Sequence, residues 1–396
     1  MPLRPRAMLL AGALLAGSSA GAGAADCDTS ATAAAQSLAT RIDADGRFVY
    51  RISAAGRVHP GYNIVRHAGS LWALAAYRQT YPDAGTIDAA SERASAFLAR
   101  CCLRAPRDAA DQRALWSVPE GEPLEAKLGA AGLALAAWSD RRRAGQAAPA
   151  LEELRGLARF IVRLQRADGH FDSKFTYDRP DDSGWTSLYY PGEAALGLLS
   201  LARIDPDPAW SLAAERALTA LATARSARQQ WPADHWALIA TAVLLRDQPL
   251  RDAALLREQV RQVAVTILAT QRPDGAFDAG LRTAPAATRI EALIAADQVL
   301  GTDDPLLRPR LRQAIARGAA FLRRAQRVEG PHAGSVTRAA PGSTAPRAGE
   351  LRIDDTQHAL SVWLAADPLQ NESCTRVRNT SASSFAAAKR SRVTWR

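Results

Sequence analysis

Six segments of this 396-residue chain carry apolar residues at helical spacing on nearly all of their sides. Alanine and leucine dominate these segments, and a helix that is apolar all round belongs in the interior of a protein. The pattern therefore predicts six buried helices. They cover residues 64–77, 125–138, 189–201, 234–245, 288–300 and 353–365.

Between these segments lie stretches with Arg and Glu on one face, and these stretches repeat. Three copies contain an apolar pair, then Gln165, Gln271 or Gln326, then an acidic residue followed by Gly. Two weaker copies place Cys102 and Arg225 where the Gln should stand. The copies are 46 to 63 residues apart, which is the length of one helical hairpin with its loops. Such a unit buries its apolar face only against neighbours.

The two kinds of helix together predict an all-α protein, an α/α toroid of six hairpins. The apolar helices form the inner ring, and the repeat helices form the outer ring. The last inner helix has no repeat helix after it, so we expect residues 31–42 to supply its outer partner. In the repeat, Gln caps the end of an outer helix and Gly takes the positive φ of the turn, so neither is given a catalytic role.

Both ends of the chain differ in composition from this body. Residues 1–25 contain Arg4 and Arg6, then an apolar run, then small residues, which predicts a secretory signal peptide. Residues 367–396 are rich in Ser and Ala and basic, without an apolar period, which predicts a disordered tail. We therefore expect one toroid domain over residues 26–366. We expect it to be periplasmic or secreted, with no transmembrane segment once the signal is removed.

The net charge of +10 comes mostly from these ends. The first 25 residues account for +2 and the residues from 368 onward for +5, which leaves +3 for the body. Because nucleic-acid binding needs a basic stripe on a folded face, the overall charge does not indicate a nucleic-acid partner.

The four cysteines, Cys27, Cys101, Cys102 and Cys374, have no metal-ligand spacing. Adjacent cysteines do not easily pair with each other. A bridge from Cys101 or Cys102 to Cys27 or Cys374 is an open alternative in an oxidising compartment. We predict no metal and no cofactor.

The Arg-Gly, Phe-Ile, Gln and Gly-x-Phe pattern resembles the QW-type repeat of the terpenoid cyclase and prenyltransferase toroids. The six hairpins also resemble the architecture of the six-hairpin glycosidases and of the toroidal polysaccharide lyases. The resemblance covers roughly residues 60–366 and implies the toroid fold. Its motifs are specific for architecture and weak for activity.

Long connections lead from the outer to the inner helices, at residues 103–124, 168–188, 272–287 and 327–352. Long loops on one face of a compact domain usually build a binding site. The inner helices also become polar in the turns next to these loops. The charged, His and aromatic residues there are Arg66, His67, Lys127, Trp185, Tyr189, Tyr190, Glu193, Asp234, His235, Trp236, Arg289, Glu291, Asp354, Asp355 and His358.

We expect these residues to face one shared cavity, because charge that recurs at the same turn of successive buried helices is costly without water or ligand. A first-turn acid is often only a helix cap, and a single His on an apolar helix is often only a core residue. Acids, histidines, tyrosines and cations on one rim favour an enzyme acting on a polysaccharide or another small anionic substrate.

Two reaction types assign the candidate residues differently. In a glycoside hydrolase, two carboxyl groups flank the bond, and the candidates are Glu193 with Asp354 or Asp355. In a polysaccharide lyase or epimerase, Tyr190 or His67 abstracts a proton and Arg66 neutralises a carboxylate. The other polar and aromatic residues of the rim would then bind substrate.

Two alternatives remain open. A terpenoid cyclase-like or prenyl-binding protein follows from the repeat, but its acidic motifs are incomplete at Asp354-Asp355 and at Asp181-Asp182, and no Cys lies on an inner helix. A non-catalytic toroid that binds a glycan or a peptide needs the aromatic residues and cations but no acid pair.

Overall fold

The computed structural model describes residues 22–82, 85–117, 124–177, 185–248, 250, 253–301 and 303–370, with side chains from residue 29 onward except at 368 and 370. This part of the chain contains twelve α-helices. They are α1 (Ala22–Thr40), α2 (Ile64–Thr80), α3 (Thr86–Cys102), α4 (Leu128–Arg143), α5 (Leu151–Arg163), α6 (Tyr190–Ala202), α7 (Pro208–Arg228), α8 (His235–Asp247), α9 (Ala254–Thr270), α10 (Thr283–Leu300), α11 (Leu307–Arg324) and α12 (Ile353–Gln370).

The even-numbered helices form a closed inner ring. Each packs against the next, from α2 through α4, α6, α8 and α10 to α12, and α12 packs back on α2. These are the six helices predicted from the apolar segments, and the α/α toroid is confirmed. Helix α10 begins at Thr283 rather than at residue 288. Pro285 does not prevent this start, because the amide of a first-turn residue has no partner within the helix.

Helices α4 and α6 approach each other closely through glycines. A Cβ atom on Gly197 would lie 2.4 Å from the carbonyl oxygen of Gly132, a distance that real side chains do not reach. Any larger residue at Gly197 would push the two helices apart. The narrow inner ring therefore depends on glycine at this contact as well as on alanine elsewhere.

The repeat glutamines connect neighbouring outer helices. Gln165 donates through Nε2 to the carbonyl of Ala213 on α7 at 2.9 Å, and Gln271 donates to Ala314 on α11 at 2.8 Å. Gln326 reaches Ser30 on α1 at 2.9 Å. Each amide thus fastens the next hairpin, rather than the end of its own helix as expected. The glycines of the three turns have φ between 81° and 87°, as predicted.

Helix α1 closes the outer ring. It packs on α12 and α3, and its side chains Ala31, Ala34 and Leu38 are fully buried. Ser37 and Ser335 share a hydrogen bond of 2.7 Å that joins α1 to the loop before α12. The expectation that residues 31–42 supply the last outer helix is confirmed.

Short strands on the loop side hold the connections in place. They are β1 (Arg51–Ile52), β2 (Val58–His59), β3 (Leu103–Arg104), β4 (Ala114–Leu115), β5 (Ala126–Lys127), β6 (Lys174–Phe175) and β7 (Leu351–Arg352). β1 pairs antiparallel with both β2 and β7, β3 with β4, and β5 with β6. Because β7 runs directly into α12, this pairing fixes the first turn of the last inner helix.

Two expectations about the ends and the cysteines need correction. Cys101 and Cys102 are joined by a disulfide at the end of α3, although adjacent cysteines were not expected to pair. The helix ends at this point, and Leu103 is already extended, so the backbone is released from helical geometry there. Helix α12 continues to Gln370, four residues into the predicted tail, and Asp367 is buried against Arg323.

Residues 1–21 and 371–396, which include most of the predicted signal peptide and tail, lie outside the described residues. Asp181 and Asp182 also lie outside them. No helix in the described part of the chain is long and apolar enough to cross a membrane.

Candidate active site

A cavity of about 280 Å³ opens on the face where the inner helices begin. It is enclosed by the start of α2, the start of α8, the first turns of α10 and α12, and the loop before α12. Its lining residues are Arg66, Tyr189, His235, Trp236, Arg282, Ala284, Pro285, Thr288, Arg289, Arg338, Arg352, Asp354, Asp355 and His358. Eight of the fifteen residues predicted for the site therefore line one cavity.

Two histidines and a glutamate form a buried cluster at its base. His358 on α12 shares a 2.9 Å hydrogen bond through Nδ1 with Oε2 of Glu291 on α10. The Nε2 atom of His235 lies 3.7 Å from the same carboxylate oxygen. A carboxylate at Glu291 can accept from Nδ1–H of His358, and in that tautomer Nε2 keeps its lone pair and could act as a base.

His235 stands in an apolar environment beside this pair. Burial, the neighbouring His358 and Arg66 hold the pKa of His235 well below its usual value. Neither of its ring nitrogens has a hydrogen-bond partner among the described residues. A neutral imidazole with two unsatisfied nitrogens in a buried position is costly unless a ligand or water reaches it.

The same three residues could hold a metal ion. One ligand atom from each of His235, Glu291 and His358 lies within 4.8 Å of the others. Two imidazoles and a carboxylate suit a divalent transition metal. The 2.9 Å contact between His358 and Glu291 is already a good hydrogen bond without an ion, whereas Oε1 of Glu291 and both ring nitrogens of His235 have no partner among the described residues.

Two consecutive aspartates in the first turn of α12 differ in their surroundings. Asp354 accepts from Arg352 at 2.7 and 3.1 Å and lies 3.5 Å from Nε of Arg66. Asp355 accepts from Thr283 at 3.2 Å, and its Oδ2 has no partner among the described residues. Burial, followed by the charge of Asp354, raises the pKa of Asp355 to about 7. Near neutral pH, Asp355 can therefore donate a proton while Asp354 stays in its ion pairs.

Aromatic rings form one side of the cavity. Trp236 is almost fully buried, and its ring centroid lies 6.0 Å from that of His358. Tyr189 at the start of α6 packs edge-on against His235 with centroids 5.1 Å apart. Flat aromatic faces of this kind suit the apolar face of a sugar ring.

His67, a candidate base from the sequence, lies outside this cavity. Its Nδ1 is 3.0 Å from the Tyr62 hydroxyl, and its Nε2 is 3.0 Å from the Ala94 carbonyl on α3. Burial lowers its pKa to about 4. The side chain points away from the ring interior toward the outer helix, so it has the structural role of a satisfied core histidine.

Glu193 and Tyr190 also do not line the cavity. The Glu193 carboxyl lies where α6 meets Gly129 of α4, and its Oε2 has no hydrogen-bond partner among the described residues. Burial raises its pKa to about 8, an effect that Arg66 partly offsets. Tyr190 packs against the same glycine and edge-on against Trp185. These residues form a neighbouring wall between α4 and α6.

Two predicted substrate ligands have local partners instead. Asp234 caps α8 by accepting from the Ala237 amide at 3.1 Å, and its other oxygen pairs with Arg225, the residue that replaces Gln in the weak repeat. Lys127 lies 3.0 Å from Glu125 in the chain just before α4. Neither residue lines the cavity, and the cap role of Asp234 is the ordinary use of a first-turn acid.

Three arginines of the cavity, Arg282, Arg338 and Arg352, were not predicted from the sequence. Arg282 precedes α10, Arg338 belongs to the loop over residues 327–352, and Arg352 ends β7. The sequence signal that could have found these arginines is their position, because all three lie in the long connections from outer to inner helices. Periodicity could not find them, since these connections have no helical spacing.

A larger cavity of about 480 Å³ lies between the connection from α5 to α6 and the end of the outer helix α7. Arg166, His170 and Arg228 contribute to its lining. No buried carboxylate–histidine pair faces it in the described part of the chain. The smaller cavity therefore holds the arrangement that can do acid–base chemistry, and volume alone does not identify the site.

No family model matches the chain, and no curated protein matches it. Solved structures do share its fold. A sugar epimerase from a ruminal bacterium superposes with a TM-score of 0.66 at 11% identity, over 86% of this chain and 98% of the other. The cellobiose 2-epimerase of Spirochaeta thermophila gives 0.65 at 16% identity, over 87% and 96%.

A third similar structure is an inactive variant of an α-1,6-mannanase from Salegentibacter, in which two neighbouring aspartates are replaced. It superposes with a TM-score of 0.55 at 11% identity, over 87% of this chain and 99% of the other. These similarities establish the α/α-toroid architecture of six-hairpin glycosidase-like proteins. They do not support the terpenoid cyclase part of the sequence resemblance.

Proposed function

We propose that the protein is a carbohydrate-active enzyme that transfers a proton at a sugar carbon next to a carbonyl or carboxyl group, as an epimerase or lyase does. The observation that carries this proposal is the oriented pair of His358 and Glu291 at the base of a cavity lined by arginines and aromatic rings. The epimerases among the similar structures support it at the level of fold.

In the proposed reaction, Nε2 of His358 removes the proton from the carbon, and Glu291 stabilises the imidazolium that forms. The electron pair left on carbon moves onto the neighbouring oxygen, where Arg66 offsets the negative charge. Return of a proton to the opposite face gives an epimer. Loss of a substituent from the adjacent carbon gives an unsaturated sugar instead. Asp355, whose raised pKa lets it carry a proton near neutral pH, would supply the proton in either case.

A second candidate, glycoside hydrolysis, is favoured by one specific observation. Asp354 and Asp355 are two carboxyl groups in one cavity; Asp354 is paired with Arg352, and burial raises the pKa of Asp355 to about 7. A hydrolase needs such a pair, one carboxyl as acid and one as base or nucleophile. One of the similar structures is an inactive mannanase variant in which two neighbouring aspartates are replaced. It gives the hydrolase hypothesis a precedent in the same fold.

The test compares the two reactions directly. Neutral and acidic sugars and oligosaccharides are incubated with the protein in D₂O, and proton NMR follows deuterium entry at carbon while a reducing-end assay follows bond cleavage. Exchange that is lost in His358→Asn and retained in His332→Asn, a loop histidine outside the cavity, supports proton transfer. New reducing ends without exchange, lost in Asp355→Asn, support hydrolysis. The absence of both reactions over the panel would favour a binding toroid and overturn the proposal.

We also propose that the enzyme is exported and acts in the periplasm or outside the cell, on a polysaccharide or another small substrate. The basic and apolar pattern of residues 1–25 supports export. Expression with and without residues 1–25, followed by fractionation, tests it. Equal retention of both forms in the cytoplasm would contradict it.

A further inference from the structure

The cavity contains more cationic than anionic side chains. Five arginines line it, against Asp354 and Asp355. Arg66 and Arg352 share the single carboxylate of Asp354. A site with two guanidinium groups on one carboxylate retains positive charge, and that charge is screened poorly in a partly buried cavity.

Arg289 adds a cation that forms no ion pair within the described residues. Its one polar contact among the described residues is the Pro285 carbonyl in its own helix, at 2.8 Å, and its guanidinium lies 5.8 Å from the centre of the Phe277 ring. By contrast, Arg282 pairs with Asp278 and Arg338 with Glu350. Arg289 is therefore the lining arginine without a carboxylate partner in the described part of the chain.

Arg289 lies in the same cavity as the groups proposed to react. Arg289, Arg66 and Tyr189 all line this cavity. His235 and His358 line the same cavity. An anionic group held by Arg289 would thus keep the rest of a sugar ring near the proposed base. Arginine suits this task because its planar fork binds oxyanions by two parallel hydrogen bonds.

We infer that the substrate carries an oxyanion, a sugar carboxylate or a phosphate or sulfate ester, and that Arg289 binds it. This inference rests on the proposed function, because it takes the cavity as the place where a saccharide reacts. A uronate carboxylate held in this way would also acidify the carbon proton next to it, since its charge would be neutralised.

Binding measurements test the inference without turnover. Calorimetry with His358→Asn protein uses glucuronate, galacturonate and their oligomers, glucose 6-phosphate, glucose 6-sulfate, and the matching neutral sugars. We expect at least one acidic class to bind ~10-fold or more tightly than its neutral counterpart, as a charge-assisted hydrogen bond to arginine predicts. The acidic class that binds distinguishes carboxylate from ester.

Substitutions of Arg289 test whether this residue causes the preference for acidic sugars. Arg289→Gln should remove the preference for the acidic sugar, and Arg289→Lys should retain part of it. Because Arg289 pairs with no carboxylate among the described residues, neither change leaves a buried charge unpaired, and both variants should fold. Arg272→Gln is the matched control, since Arg272 lies in the connection before α10 and pairs with Asp274 outside the cavity.

Two results would overturn the inference: equal binding of acidic and neutral sugars, or an acidic preference that survives in Arg289→Gln. The proposed function fails differently. If the acidic sugar binds through Arg289 but wild-type protein neither exchanges its protons nor cleaves it, the anion site stands and the enzymatic proposal falls.

Discussion

His67 and His358 are both buried histidines on inner helices. The two ring nitrogens of His67 are both engaged, by Tyr62 and by the Ala94 carbonyl. His358 is engaged at Nδ1 by Glu291, and it lines the cavity. Burial alone therefore does not distinguish the two histidines. They differ in that an acid contacts the ring of His358 and its second nitrogen remains available.

The largest expected effect is that of His358→Asn on activity. We expect the exchange or turnover rate to fall about 10²- to 10⁴-fold, the usual contribution of a general base. Sugar binding and the denaturation midpoint should change little. Steady-state kinetics and calorimetry on the same preparation check this, and a variant with near wild-type kcat would remove His358 from the mechanism.

Glu291→Gln sharpens the comparison by keeping an acceptor for His358 while removing the charge. We expect a loss of roughly 10- to 100-fold, the range found for groups that orient a ligating histidine. The pH profile of kcat/KM should also change, because the imidazolium is no longer stabilised by a carboxylate. A lower rate with an unchanged pH profile would indicate a merely structural role for Glu291.

His67→Leu should affect stability rather than catalysis. It leaves the Tyr62 hydroxyl and the Ala94 carbonyl without their partner, which costs about 1–3 kcal/mol of unfolding free energy. The kcat of the folded fraction should stay within a few-fold of wild type. Urea unfolding and active-fraction kinetics measure both quantities, and a large fall in kcat with unchanged stability would reverse the assignments of the two histidines.

The pH dependence of stability gives a further contrast. Burial raises the pKa of Glu193 from 4.5 to about 8, so the folded state binds its proton more tightly. Its contribution to stability is complete below pH 4.5 and is lost as the pH rises through 8. The pKa of His67 is lowered from 6.5 to about 4, so its contribution is lost as the pH falls through that window.

Glu193→Gln should remove the part of the pH dependence that Glu193 causes. The difference in unfolding free energy, wild type minus variant, should fall between pH 4.5 and 8, with a slope of at most about 1.4 kcal/mol per pH unit for one proton. Denaturant titrations at several pH values provide the measurement. A difference that is constant across this window would show that the carboxyl is not protonated in the folded state.

The smallest expected effect concerns metal. If the hydrogen bond between Glu291 and His358 is the working arrangement, dialysis against EDTA should leave activity within two-fold. Elemental analysis of the purified protein is the companion measurement. Stoichiometric metal that is lost in His235→Asn, together with activity restored by adding it back, would favour the metal site over the acid–base pair.

Much of the architecture could be predicted because it follows from local patterns. The inner helices are apolar on all sides, the outer helices repeat, and both signals come from consecutive residues. The disulfide of Cys101 and Cys102 was missed because it depends on how α3 ends. The extension of α12 to Gln370 was missed because Asp367 is polar but buried against Arg323.

The site was only partly predictable, since a helical segment shows where a residue lies along the axis but not which way it points. Arg66 and His67 are adjacent, yet one faces the cavity and the other faces α3. The pairing of Glu291 with His358 depends on the packing of α10 against α12, and no spacing in either segment indicates it. Arg338 and Arg352 lie in the connection over residues 327–352. The position of Arg352 is set by the pairing of β7 with β1, which the local sequence pattern does not show.

The contact of α12 with α2 and α1 has a consequence for when this protein can first work. Arg66 and His358 come from opposite ends of the chain and share a cavity only after the last helix has docked beside the first ones. A nascent chain still lacking α12 therefore carries no assembled site, however well its earlier hairpins have formed. We therefore expect the proposed activity to require docking of the final helix, and a premature stop before Ile353 to abolish it.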